Sequence, residues 1–214
     1  MNEELRNKVV KTGTITLGIV FKDGVLLASD KRVSLGDSYW IADKKMMKLH
    51  KIMDNVFVTI AGNASDIQMV VKLARAELKL KSIRTKSLPT VNEAANLFAN
   101  IVYQNIRKFS PIMGISHFIM AGRDSTGVSL YEISPDGTII EKDSYITSGA
   151  YGSIAAYGIL ENEWAPALSV EEAKKLAVKV IKTSFKRDVS TGDGINMVII
   201  PKAGSIGEIT EEKL

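Results

Sequence analysis

A chain of 214 residues suits one large domain or two small ones, and 45% apolar with 24% charged residues is enough to build a substantial core. The net charge of +4 comes from basic residues scattered along the chain, without the clustering that a nucleic-acid surface needs, and no apolar run reaches the ~18 residues of a membrane helix. Cysteine is absent, which excludes disulfides and thiolate chemistry, and the only histidines, His50 and His117, stand apart, which argues against a zinc site.

Residues 1–13 read as a short polar leader. The charged start, Met1 to Lys8, lacks the apolar centre of a secretion signal, so a cytoplasmic location is expected. Strands follow at 14–21 and 24–31, joined by the turn Lys22-Asp23-Gly24. Two more are expected at 46–52 and 55–62, the second rich in β-branched residues. The period then changes. Ser65 followed by Gln68 fits a capping box, and Ile67, Val70, Val71, Ala74 and Leu78 share one helical face. A second helix starts from Thr90 and Glu93, with Ala94, Leu97, Phe98 and Ile101 on its apolar side.

Strands return at 116–122, 127–133 and 138–146, with turn residues at 124–127 and 135–137. A helix is expected over 153–163 and another from Ser169, capped by Glu172, with Ala173, Leu176, Ala177, Val180 and Ser184 aligned. Ile195–Ile200 reads as a buried strand, and 206–209 as a short one. Helix pairs separated by runs of strands do not make parallel βαβ units. The order predicts an α+β, four-layer α/β/β/α sandwich: two antiparallel sheets face to face, with a helix pair outside each. No repeat, low-complexity segment or linker interrupts it.

Chemistry concentrates where strands end. In Lys11-Thr12-Gly13-Thr14, cleavage of the Gly13–Thr14 bond would give Thr14 a free α-amine beside its own hydroxyl, a nucleophile and base in one residue. Asp30-Lys31-Arg32 closes the second strand, and alternation through Lys44–Leu49 puts Met46, Lys48 and His50 on one face. Ala61-Gly62-Asn63-Ala64 joins a strand to a helix, where backbone amides can point at an anion. Arg187 to Gly194 links the last long helix to a strand.

The leader junction, Asp23-Gly24-Val25-Leu26-Leu27-Ala28-Ser29-Asp30-Lys31-Arg32, Thr59-Ile60-Ala61-Gly62 with Asp66-Ile67-Gln68, Ala121-Gly122-Arg123-Asp124, Tyr157-Gly158-Ile159-Leu160-Glu161 and Arg187-Asp188 occur in an order and spacing that resembles the β-type subunits of archaeal proteasomes, in the N-terminal-nucleophile hydrolase group. The likeness runs over essentially the whole chain. It implies a propeptide, 1–13, removed by autocleavage between Gly13 and Thr14, and one catalytic domain, 14–214. It also implies a proteolytic subunit of the 20S core, a threonine endopeptidase cutting unfolded proteins inside a closed barrel. The implied partners are other β subunits in a heptameric ring, α-type rings and an ATP-dependent regulatory unfoldase; neither a cofactor nor a metal is implied. The other reading is a non-catalytic β-type subunit with a role in ring structure and assembly.

The resemblance assigns roles by position. Thr14 matches the nucleophile, and Asp30 and Lys48 the acid and lysine beside it. Lys48 is preferred to Lys45 because Leu49 follows it, which requires about two extra residues in the Ser38–Lys45 loop. Gly62 matches the oxyanion-hole N–H, and Asp188 the aspartate that orients the nucleophile's surroundings. Val33, Ser34, Met46, Ile60 and Ala64 match substrate-binding positions; Val33, Met46, Ile60 and Ala64 are apolar, which implies cleavage after hydrophobic residues. The sequence departs from the family twice: Tyr151 and Thr191 each stand where a serine is usual near the nucleophile.

Overall fold

The computed structural model describes residues 10–35, 40–149 and 152–212. Thirteen strands and four helices in those stretches form four layers. One sheet has eight strands. Its spine is β7 (Val56–Asn63), β8 (Ser116–Asp124), β9 (Gly127–Ile133) and β10 (Ile139–Lys142). The free edge of β7 is shared. β6 (Leu49–Met53) pairs with its first half, and β1 (Val10–Thr12) pairs with its end through Lys11 opposite Asn63 and Thr12 opposite Gly62. Beyond β1 lie β4 (Val33–Leu35) and β5 (Trp40–Asp43). The second sheet has five strands in the order β11 (Tyr145–Gly149), β2 (Ile15–Phe21), β3 (Gly24–Asp30), β12 (Ile195–Pro201) and β13 (Thr210–Glu212). Every pairing is antiparallel.

Alternation along the strands sends one set of side chains outward and one inward. The outward set of the larger sheet, including Val58, Ile60, Phe118 and Met120, packs under α1 (Ala64–Thr85) and α2 (Val91–Ile106). The outward set of the smaller sheet, Ile15, Leu17, Ile19, Leu26 and Ala28, packs under α3 (Gly152–Glu163) and α4 (Val170–Arg187). Val25, Leu27, Phe57, Ile119, Leu130 and Val198 fill the space between the sheets. The expected α/β/β/α sandwich is therefore the observed one. Among the described residues, no helix is long and apolar enough to cross a membrane.

The capping boxes at Thr90/Glu93 and Ser169/Glu172 both form, each with its two reciprocal hydrogen bonds. The one expected at Ser65 does not. β7 runs straight into α1, with Asn63 as N-cap and Ser65 inside the first turn. Asn63 is committed elsewhere: its N–H donates to the Ile115 carbonyl and its Nδ2 to the Met113 carbonyl. The expected strand 46–52 begins only at Leu49, because the Met46 N–H turns aside to the Lys31 carbonyl. The expected strand 138–146 is two strands that pair with different sheets. The final short strand is 210–212 rather than 206–209; Ile206 and Ile209 pack against the inter-sheet core instead. β1, β4 and β5 have no counterpart in the sequence reading.

Candidate active site

Four strand ends meet at one mouth of the sandwich. Thr14 precedes β2, Asp30 ends β3, Lys48 precedes β6 and Gly62 stands near the end of β7. Thr14 is 1% exposed, and Asp30 and Lys48 are fully buried. Lys48 Nζ donates to Asp30 Oδ1 at 2.8 Å and to the carbonyl oxygen of Gly13 at 2.6 Å. That carbonyl belongs to the Gly13–Thr14 peptide bond. Lys45, the rejected alternative, is exposed and uses its N–H on Asp43.

Asp30 is held on both oxygens. Oδ1 also accepts from the Ile15 N–H at 3.1 Å, and Oδ2 accepts from the N–H groups of Arg32 and Gly192 at 3.2 and 3.1 Å. Burial pushes the Lys48 ammonium below its ordinary value, against the opposing pull of Asp30. Burial likewise pushes the Asp30 carboxyl up, against Lys48 and the N–H groups of Gly192 and Ile15. Two charges withdrawn from water depend on each other, so neither tolerates loss of its partner.

The loop after α4 closes the site from the other side. Asp188 Oδ1 accepts from the N–H and hydroxyl of Ser190, and Oδ2 from the Gly152 N–H at 3.1 Å. Thr191 donates its hydroxyl and its N–H to the Asp188 carbonyl, at 3.0 and 3.2 Å. Arg32 pins this loop through Asp193 at 2.7 Å and the Val189 carbonyl at 2.9 Å. Thr191 therefore shapes the loop around Asp188. Tyr151 lies outside the described residues.

Gly13 fits this space because it has no side chain: a Cβ there would lie 2.2 Å from Ser190 Cβ and 2.6 Å from Ser34 Oγ. Ser34 thus borders Gly13, while Val33 beside it is buried in β4. Met46 and Ile60 share a cavity of about 320 Å³ with the apolar Ile67 and Val71. His50, Gln68, Lys72 and Arg75 also line it. Those four were not among the sequence candidates; they come from β6 and α1, and only the packing of the helix on the sheet brings them together. Val33, Ser34 and Ala64 are not part of that lining, and Ala64 opens α1. Ser190, Gly152 and Arg32 were also not singled out for a role. Ser190 lies two residues from Asp188, a spacing that suits a local side-chain-to-backbone turn, and this was the one available signal.

Two antiparallel sheets packed face to face between two helix pairs define the N-terminal-nucleophile hydrolase type of architecture. The chain belongs to the proteasome subunit family, whose profile matches residues 10–200. It is 37% identical to the proteasome subunit beta of Ferroglobus placidus, over 98% of this chain and 96% of that one. It is 38% identical to the proteasome subunit beta 2 of Nitrosopumilus maritimus, over 100% and 97%. The proteasome subunit beta of Archaeoglobus fulgidus is 38% identical, over 92% and 88%.

Proposed function

We propose that this chain is a proteolytic β subunit of a 20S core, a threonine endopeptidase that first cuts itself and then cuts unfolded chains. The observation that carries the reading is the contact between Lys48 Nζ and the Gly13 carbonyl oxygen, with Asp30 behind it. In the first reaction the Thr14 hydroxyl adds to the Gly13 carbonyl carbon. The Gly13–Thr14 C–N bond breaks, the acyl group passes to Thr14 Oγ, and the nitrogen takes up a proton. Water then hydrolyses the ester, leaving a carboxylate on Gly13 and a free α-amine on Thr14. Lys48 stabilises the negative charge that develops on the carbonyl oxygen, where one well-aimed donor is worth ~3–4 kcal/mol.

In the second reaction the freed amine accepts the Thr14 hydroxyl proton. Nearby positive charge on Lys48 favours the neutral amine, which the base role requires. The hydroxyl attacks the substrate carbonyl, the Gly62 N–H stabilises the oxyanion, the amine gives its proton to the leaving nitrogen, and water releases the acyl group. The leader's own pairing suggests how substrate binds. β1 lies as a strand between β4 and β7, so an extended peptide can gain the same main-chain hydrogen bonds. The apolar walls from Met46 and Ile60 support a hydrophobic residue before the cut. Assembly would place the subunit in a heptameric ring of β subunits capped by α-type rings, in the cytoplasm, fed by an ATP-dependent unfoldase.

N-terminal sequencing and intact mass of the assembled particle test this. The mature subunit should begin at Thr14. A subunit that keeps Met1–Gly13 in particles that are otherwise complete would overturn the proposal and make the chain a non-catalytic ring component.

A further inference from the structure

Beside Thr14, and unused by the reaction above, four side chains form a polar chain across the gap between the sheets. Ser148 Oγ lies 2.5 Å from His117 Nδ1. His117 Nε2 lies 3.3 Å from Glu132 Oε1, and Lys142 Nζ lies 3.3 Å from Glu132 Oε2. Nε2 is buried and has no aligned hydrogen-bond partner among the described residues, so its contact with Glu132 is electrostatic. A carboxylate facing Nε2 favours the proton there. Nδ1 is then the acceptor and Ser148 the donor, a tautomer assigned from these partners. His117 is also the leading influence that holds the Glu132 carboxyl below its ordinary value, against burial.

Ser148 and His117, the first two members of this chain, sit against the catalytic framework. Ser148 is on β11, opposite Thr16 of β2, and the Thr16 hydroxyl donates to the Ser148 carbonyl at 3.2 Å. The next residue, Gly149, has φ +149, and a Cβ there would lie 1.8 Å from the Thr14 carbonyl oxygen. β11 at this point therefore runs directly against the backbone of the nucleophile. His117 is on β8, opposite Ala61, and its neighbour Ser116 is opposite Gly62. The imidazole thus ties β11, which abuts Thr14, to β8, which pairs with the strand that carries the Gly62 N–H, and β11 and β8 belong to different sheets. Hydroxyl, imidazole and carboxylate in this order can activate a nucleophile. Here, however, Ser148 lies within a strand paired to β2 and its hydroxyl meets His117 of the opposite sheet, which suits a tie between strands.

We propose that His117 is a positioning residue for the Thr14 reaction. Held between Ser148 and Glu132, it fixes the spacing of the two sheets at the reaction mouth and so the distance from the Thr14 hydroxyl to the Gly62 N–H. That distance decides how well the oxyanion is met, because donors must be set for the transition state before it forms. The inference rests on the threonine-peptidase reading.

The test is steady-state hydrolysis of a short fluorogenic peptide by assembled particles carrying His117→Ala, Ser148→Ala, both changes, or His117→Asn. A displacement of about 1 Å costs up to ~100-fold in rate, so kcat should fall by about 10- to 100-fold in each alanine variant. KM should stay within about two-fold, as for an interaction expressed only in the transition state. The double variant should be no slower than the slower single one, because both changes break one tie. Asparagine, which keeps an amide group near the place of Nδ1, should recover part of kcat. Unchanged kcat with only a lower melting temperature, or losses that multiply in the double variant, would overturn the proposal. Ser148→Ala removes a single oxygen and keeps the test decisive if His117→Ala does not assemble. A wild-type particle that retains its leader and cuts nothing is a separate outcome: it removes the parent reading, and this inference with it.

Discussion

At the far end of the layer between the sheets, Val25 and Leu27 of β3 meet Phe57, Leu130 and Val198 in an apolar packing. At the mouth, the same face of β3 carries Ser29, next to Asp30, and the neighbouring strands bring Thr16, Asn196, His117 and Ser148. One end of this face is apolar core and the other is polar, while the buried Asp30 stands on the opposite face of the same strand end. The polar end costs stability: Ser29 Oγ is buried without a hydrogen-bond partner among the described residues, and Asp30 and Lys48 are buried charges. The apolar end supplies the burial that offsets this cost. The sandwich is thus a rigid frame with one deliberately expensive edge.

Substitutions at the two ends should therefore separate cleanly. Thr14→Ala should have the largest effect, abolishing both leader removal and peptide hydrolysis while rings still assemble; mass and activity of the purified particle report it, and normal turnover would exclude Thr14 as nucleophile. Lys48→Ala should come next. It leaves the fully buried Asp30 unpaired, a change that costs about 3–5 kcal/mol, read as a lower denaturation midpoint together with a retained leader. Gly13→Ala should slow leader removal by up to ~100-fold, because its Cβ would overlap Ser190 and shift the carbonyl from Lys48. Adding Ser190→Gly should restore part of that rate, which a time course of processing would show. At the apolar end, Leu27→Ala should cost about 2–5 kcal/mol of stability and leave kcat unchanged. A matching loss of kcat there would mean that the two ends are not separable.

Much of the frame is legible in the sequence alone. The β2–β3 hairpin, the long helices and the capping boxes at Thr90 and Ser169 depend on residues within four positions of each other, and local physics decides them. Ser65 misled because Asn63 is drawn away by Ile115 and Met113, some fifty residues on, as the 50-residue separation from Met113 marks. β1 was illegible for a related reason. Three residues, Val10–Thr12, have no pattern of their own and become a strand only because β4 and β7 flank them. The cavity residues His50 and Arg75, and the tie from Ser148 through His117 to Glu132, likewise arise where separate elements pack.

By itself the sequence determined the layered architecture, the family likeness, and the residue types available for threonine chemistry. These rest on hydrophobic period, turn chemistry and the order of motifs, all of which are written locally along the chain. Only the tertiary structure decided that Lys48 faces both Asp30 and the Gly13 carbonyl, that Asp188 is held by Ser190 and Gly152, and that His117 spans the two sheets. Apart from the local Asp188–Ser190 turn, each of those contacts joins residues from different elements, and their distances follow from how the elements pack rather than from any spacing in the sequence.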